Sequence, residues 1–195
     1  MDGTWSYTPA LNDDTDVSFD YNITDNSNIV AGVATLDITP VNDAPQTTNV
    51  ALIPVTEDST TRLITQVELL VNATDIEGNA LTATDLTIAT GNGILTDNMD
   101  GTWSYTPALN DDSDVSFDYN ITDNTNIVPT VATLDITPVN DAPQTTNVAL
   151  IPIAEESTAR LITQTELLIN ATDIEGDALT ATCLLYTSPS PRDRG

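Results

Sequence analysis

The sequence predicts an all-β protein, a tandem array of antiparallel β-sandwiches with Greek-key connections that holds one complete unit and parts of two more. Three observations carry this expectation. The chain repeats itself with a period of 98 residues; each repeat contains several short runs in which apolar and polar residues alternate; and Pro, Gly, Asn and Asp punctuate those runs.

The repeat keeps its register without a slip. Trp5 recurs as Trp103, Tyr21 as Tyr119, Asp43 as Asp141, Arg62 as Arg160 and Asp75 as Asp173, and residues 1–84 match residues 99–182 at 73 of 84 positions. A period near 100 is too long for solenoid units and suits an array of whole small domains. The match ends at Thr182. The following "CLLYTSPSPRDRG" has no counterpart in the first copy and resembles the translation of a sequencing-library adapter, so residues 183–195 are expected to be a non-native tail.

Within one repeat the elements follow in order. "NVALIPV" and "TRLIT" read as strands, "QVELLVN" as the one possible helical turn, and "LTATDLTIA" as a third strand. "ILTDNMDGTWSYTP" reads as a hairpin turning at Asp100 and Gly101, with Trp103 and Tyr105 on one face. In "DVSFDYNIT", Val115, Phe117, Tyr119 and Ile121 alternate with Asp114, Ser116, Asp118 and Asn120, which gives one core face and one wet face. "ATLDITP" points Ala132, Leu134 and Ile136 inward, with Thr133 and Asp135 outward. "PVNDAP", at residues 40–45 and 138–143, is the natural boundary, because proline cannot sit in a central strand. The expected division is the second half of a unit at 1–42, a complete unit at 43–140, the first half of a unit at 141–182, and the tail. A half sandwich exposes its core, so neither flank is expected to be stable alone. The flanks are complementary, lacking only the stretch that matches residues 85–98, and association between chains by such halves is expected.

Charge narrows the function classes. The chain has 30 acidic residues against four Lys and Arg, a net charge of −26, with no His and a single Cys that lies in the tail. So acidic a surface repels nucleic acid and anionic lipid. Disorder, which strong acidity can also signal, loses here because 39% hydrophobic residues in strict alternation can form a core. No apolar run approaches the roughly 20 residues of a membrane span. Zinc, copper and iron–sulfur sites need His or Cys, which the natural part of the chain does not offer.

The stretches "TED", "ATDIEGNALTAT", "DGTWSYTPALNDD", "FDYNITDN" and "LDITPVNDAP" together resemble bacterial cadherin-like repeats, which occur in tandem in very large secreted adhesins, often of the RTX type. The resemblance spans residues 1–182. It implies an Ig-like sandwich, an extracellular or cell-surface location, and calcium bound at the joint between consecutive units. Carried over by position, the joint after the complete unit draws Glu57, Asp111 or Asp112, Asn140, Asp141, Asp173 and Glu175. The earlier joint draws Asp13 or Asp14, Asn42, Asp43, Asp75 and Glu77, with Asp123 and Asp25 as further candidates. Pro40 and Pro138 stand where the cadherin linker carries another Asp, so fewer or weaker ions are implied.

Elementary electrostatics points the same way. Opposed carboxylates about 4 Å apart repel by about 4 kcal/mol at an effective dielectric near 20, so a joint that gathers several of them needs a cation. Calcium takes six to eight hard oxygens in flexible geometry, which carboxylates, Asn side chains and carbonyls supply. The function expected is therefore a calcium-stiffened structural spacer of an adhesin, serving cell adhesion or biofilm, whose partners are neighbouring repeats and, through other regions, surface polysaccharide or a host or self cell surface. The alternative is a carbohydrate- or protein-binding sandwich module. Catalysis is not expected. Asp111 and Asp112 are adjacent, so in a strand they point to opposite faces, and an exposed acid cluster lacks the burial that raises one carboxyl pKa. Plainer expectations cover the remainder: Trp5 and Trp103 in the core, Asp114 and Asp118 on a solvated face, Arg62 and Arg160 each paired with a carboxylate of its own unit, and Asn22, Asn72, Asn120 and Asn170 as accidental N-x-Thr matches.

Overall fold

The computed structural model describes residues 3–182; the tail at 183–195, with its reading as adapter sequence, lies outside the described residues. The strands in chain order are β1 (Val17–Thr24), β2 (Ile29–Leu36), β3 (Val50–Ala51), β4 (Val55–Thr56), β5 (Arg62–Thr65), β6 (Thr82–Thr90), β7 (Ile94–Asp97), β8 (Thr102–Thr106), β9 (Val115–Thr122), β10 (Ile127–Leu134) and β11 (Ile136–Thr137). Two single helical turns, α1 (Gln66–Leu69) and α2 (Gln164–Leu167), occupy matching places in the repeat.

Strands β3–β11 build one sandwich. One layer has the order β3-β10-β9-β6, the other β5-β8-β7, and the short pair β11-β4 extends the first along its edge. The core lies between the layers: Ile64, Leu69, Tyr105, Phe117, Ile121, Leu134 and Val115 are fully buried, and Tyr105 meets Phe117 edge to face with ring centroids 5.4 Å apart. The residues that alternation points inward, Trp103 and Tyr105, Val115, Phe117, Tyr119 and Ile121, and Ala132, Leu134 and Ile136, are buried, and Asp114, Asp118, Thr133 and Asp135 are exposed.

Three local features go beyond the sequence reading. The run "NVALIPV" is split into β3 and β4, because Pro54 has no N–H to give; the ladder resumes on either side, with Leu52 N donating to Thr133 O (2.8 Å) and Val55 N to Asp135 O (3.1 Å). Both halves run parallel to the end of the chain's path through the sandwich, β3 with β10 and β4 with β11, so pairing is not antiparallel throughout. A unit entered at one end and left at the other must have its first and last strands pointing the same way. In β6 the register against β9 shifts between Thr84 and Thr87, with Asp85 left-handed at φ 58°. That bulge inserts one residue and switches the inward parity from Ala83 to Leu86 and Ile88, which alternation alone does not reveal. The β7–β8 turn uses Asp100 and Gly101 as expected but is longer, running from Asn98 with Met99 also left-handed.

The helical turn forms for local reasons. Thr65 caps α1 and Glu68 reaches back to the Thr65 N–H, a capping box, while Glu68 also pairs with Arg62 at 2.6 Å. Around α2, Thr163, Glu166 and Arg160 repeat this arrangement.

The flanks have nearly the same sequence as the central sandwich and less of its structure. The β1–β2 hairpin keeps the pairing of β9–β10, from Val17↔Leu36 to Thr24↔Ile29. Residues 4–8 and 160–163, counterparts of β8 and β5, are not strands. Each of those strands pairs with the other in the central unit, and neither has that partner within its own flank. Trp5 is 92% exposed where Trp103 is 4%, and Ile23 is 63% exposed where Ile121 is fully buried. The expectation of a core position therefore holds for Trp103 and not for Trp5, because no described segment covers the face on which Trp5 lies.

Candidate functional site

The two linkers are the places where polar groups from different units converge. At the first, Asn42 donates from Nδ2 to Asp123 Oδ2 (2.6 Å) and accepts at Oδ1 from Asn79 Nδ2 (2.5 Å). Asp43 N donates to Glu77 Oε2 (3.0 Å), and Asp43 O accepts from Asn126 Nδ2 (3.3 Å). The "DIEG" turn that presents these groups is closed by Gly78 at φ 76°, with Gly78 N donating to Asp75 O. Asp75 Oδ1 accepts from the N–H groups of Glu77 and Asn79. Its Oδ2 is buried without a hydrogen-bond partner. An open groove of about 840 Å³ runs past the linker, lined by Asp13 and Asp14 from the preceding flank and by Asn42, Asp43, Glu77 and Asn79.

The second linker repeats part of this. Asp141 N donates to Glu175 Oε2 (3.3 Å), Asn140 Nδ2 to Asp141 O (3.0 Å), and Asp177 N to Asp173 Oδ1 (3.0 Å). Glu57 is buried and accepts the Val139 N–H at 2.8 Å, which ties the first strand to the linker. Asp111 turns away, accepting from Asn92 Nδ2 and Ser113 N, and Asp112 is exposed. Asp25 closes its own turn by accepting from Ser27 N and Asn28 N.

Sequence reasoning missed four participants. Asn79 and Asn126 brace the first linker. Asp58 and Asn110 brace the second: Asn110 N donates to Asp58 Oδ1 (2.8 Å), and with its amide nitrogen turned inward the side chain reaches Asp141 Oδ2 (3.1 Å) and Asp58 Oδ2 (3.3 Å). Asn110 lies within the quoted "ALNDD", where the two following acids drew attention instead.

Among the described residues, no three or more of His, Cys, Asp and Glu converge closely enough to hold a metal ion. Several of the candidate carboxylates are instead held by N–H donors. The donor chemistry nevertheless suits a hard cation, since carboxylates, Asn amide oxygens and backbone carbonyls line the linker. The unpartnered Asp75 Oδ2 is the one buried oxygen there that a cation would satisfy.

Asp123 is the most strongly perturbed acid. The Asn126 N–H holds its carboxyl far below the usual carboxylate range; burial opposes this, and the Asn42 amide, the Thr125 N–H and the Asn126 amide add to the lowering. A depressed folded-state pKa contributes stability above the unfolded value near 3.9, and that contribution fades as pH falls from there toward the folded value. Asp123→Asn is therefore expected to lower stability at neutral pH and to flatten its decline below about pH 4, read from urea midpoints across an acid pH series. For Glu57→Ala the expected loss is about 1–3 kcal/mol, because the Val139 N–H loses its buried acceptor. Glu57→Gln retains an acceptor oxygen and should lose less in the same urea titration.

The family profile described as Cadherin-like domain matches residues 41–137 and again residues 139–191. No curated protein matches the chain. Among solved structures, the endo-fucoidan hydrolase MfFcnA9 from glycoside hydrolase family 107 is similar at 21% identity and a TM-score of 0.32, covering 66% of this chain and 23% of its own. The endo-fucoidan hydrolase MfFcnA4 of the same family is similar at 22% identity and a TM-score of 0.34, covering 68% and 20%. The chain spans about a fifth to a quarter of those hydrolases. A likeness that weak bears on neither activity nor substrate. Among the described residues no helix is long and apolar enough to cross a membrane. Cadherin-like domains are generally extracellular and typically non-catalytic. With an all-β sandwich and two matched spans that together take in more than half of its length, this chain belongs to the cadherin-like domain family.

Proposed function

We propose that the chain is a spacer segment of a large extracellular bacterial adhesin of the RTX type, stiffened by calcium at the joints between units and serving cell adhesion or biofilm. The observation that carries this is the first linker, where Asp13 and Asp14 of one unit share a groove with Asn42, Asp43 and Glu77, beside the unpartnered Asp75 Oδ2. Without an ion these carboxylates repel and the units swing about the linker. With one, oxygens from both sides are drawn onto a common centre and the angle is fixed. Extracellular modules bind calcium with dissociation constants of about 10⁻⁴–10⁻³ M, which leaves the joint loose inside a cell and locked outside it. The aromatic residues of the central unit do not favour sugar binding, since Trp103, Tyr105, Phe117 and Tyr119 are all buried.

Small-angle scattering on dilute protein tests the reading. Millimolar calcium is expected to increase the maximum dimension relative to chelator and to raise the melting temperature, and Asp75→Asn with Glu77→Gln should abolish both responses. Identical dimensions and melting with and without calcium would overturn it.

A further inference from the structure

We infer that the joint between consecutive units closes on an apolar latch, in which the Leu of the "ALNDD" loop in one unit packs on the Ile of the "DIEG" turn in the next. The acids around it hold the latch open until their charge is screened or neutralised. The inference rests on the reading of the linkers as joints in an array, and it does not need calcium as the neutralising ion. Leu11, Val41 and Ile76 come from three separate segments, all are exposed, and all line the open groove at the first linker. Apolar residues scattered singly over a surface are ordinary. Three that converge on one groove mark a contact site. Each recurs 98 residues later, as Leu109, Val139 and Ile174, and these are exposed as well. The complete unit carries Ile76, 52% exposed, at its leading end and Leu109, 77% exposed, at its trailing end. Both partners of the latch are therefore uncovered on a unit whose own sandwich is whole.

The hydrogen bonds of the second linker bring the two partners to one residue. The turned Asn110 amide reaches Asp141 Oδ2 (3.1 Å), and Asp141 N donates to Glu175 Oε2 (3.3 Å). Leu109 immediately precedes Asn110, and Ile174 immediately precedes Glu175, so Asp141 gathers the loop of one unit and the turn of the next with an apolar side chain beside each bond. At the first linker Asp43 N holds Glu77 Oε2 (3.0 Å) in the same way, next to Ile76. What opposes closure lies in the same place: Asp13, Asp14, Asp43 and Glu77 line the groove with Leu11 and Ile76. Unscreened repulsion among these carboxylates outweighs the burial of two aliphatic side chains, and the groove stands open. The two contributions respond differently to the solution. Salt shortens the reach of the repulsion and leaves the apolar attraction in place, whereas a divalent ion removes charge at the centre. Either should seat Leu11 on Ile76.

The whole chain with Leu11→Cys and Cys183→Ser reports the latch through the rate at which a maleimide reacts with the new thiol. In chelator, raising sodium chloride from about 10 mM to about 1 M shortens the screening length from about 30 Å to about 3 Å. Labelling is expected to slow about tenfold, a shift in population that burying one aliphatic side chain supplies. Ile76→Ser on the same chain should keep labelling fast at both salts, which also controls for any direct effect of salt on the thiol. The same substitution should leave the melting of the central sandwich unchanged, since Ile76 is exposed. Millimolar calcium at low salt should protect the thiol as high salt does. Salt protection that Ile76→Ser removes, without any response to calcium, would support the latch and count against the calcium reading. Equal rates at the two salts, or protection that Ile76→Ser leaves intact, would overturn the latch, and calcium protection of the Ile76→Ser chain would then leave the calcium reading standing.

Discussion

Phe117→Ala is expected to destabilise the central sandwich by about 3–5 kcal/mol, while Phe19→Ala, the same change 98 residues earlier, should shift its stability by less than about 0.5 kcal/mol. The two residues sit in an identical local sequence, "DVSFDYNIT", and face the same way on strands of identical pairing. They differ in what lies above them. Phe117 is fully buried against Tyr105 and the second sheet, so truncation leaves a cavity that the layers cannot close. Phe19 is 39% exposed, with Tyr7 edge to face on its ring and no described second sheet over it. Urea unfolding followed by Trp103 fluorescence separates the two. Equal effects at both positions would mean that the flank is as well covered as the centre.

Gly93→Ala is expected to cost about 2–4 kcal/mol, strain and crowding together. Gly93 has φ 127°, outside the range a side-chain-bearing residue adopts readily, and an added Cβ would lie 2.6 Å from the Tyr105 hydroxyl and 2.7 Å from Thr106 O. The hydroxyl cannot retreat freely, because it donates to Asn92 O at 2.6 Å and its ring is fully buried. Gly101 provides the internal contrast. It is also left-handed, at φ 84°, but a Cβ there would meet only the Gln66 side chain, at an ordinary contact distance of 3.6 Å from Cγ, so Gly101→Ala should cost about 1 kcal/mol. Thermal melts of the two variants rank them directly.

Much of the fold was legible because period-two alternation is a direct print of a two-layer sandwich. Val115 to Ile121 and Ala132 to Ile136 could be assigned inward one by one. Three things escaped, each for a physical reason. The Asp85 bulge depends on a left-handed residue that no composition rule marks, since Asp is ordinary in strands' ends and turns. The parallel pairing of β3 and β4 depends on where the chain exits, which is a property of the whole unit. The placement of Trp5 depends on a covering segment and not on its neighbours in sequence. At the linkers, Asn42, Asp43 and Glu77 could be read together from matched offsets in two copies. Asn79, Asn110 and Asn126 could not, because amides carry no charge signal and their role emerges only when three separate loops meet.

The parallel pairing at the sandwich edge has a mechanical consequence. When tension is applied to the two ends of the central unit, β3–β4 and β10–β11 are drawn in opposite directions along their own lengths. The bonds from Leu52, Val55 and Glu57 to Thr133, Asp135 and Thr137 then lie across the direction of sliding and must rupture nearly at once. A hairpin pulled open from its end gives way one rung at a time. Loaded this way, the rungs at the edge share the load, so the unit resists a pull along its ends more strongly than a hairpin peeled from one end.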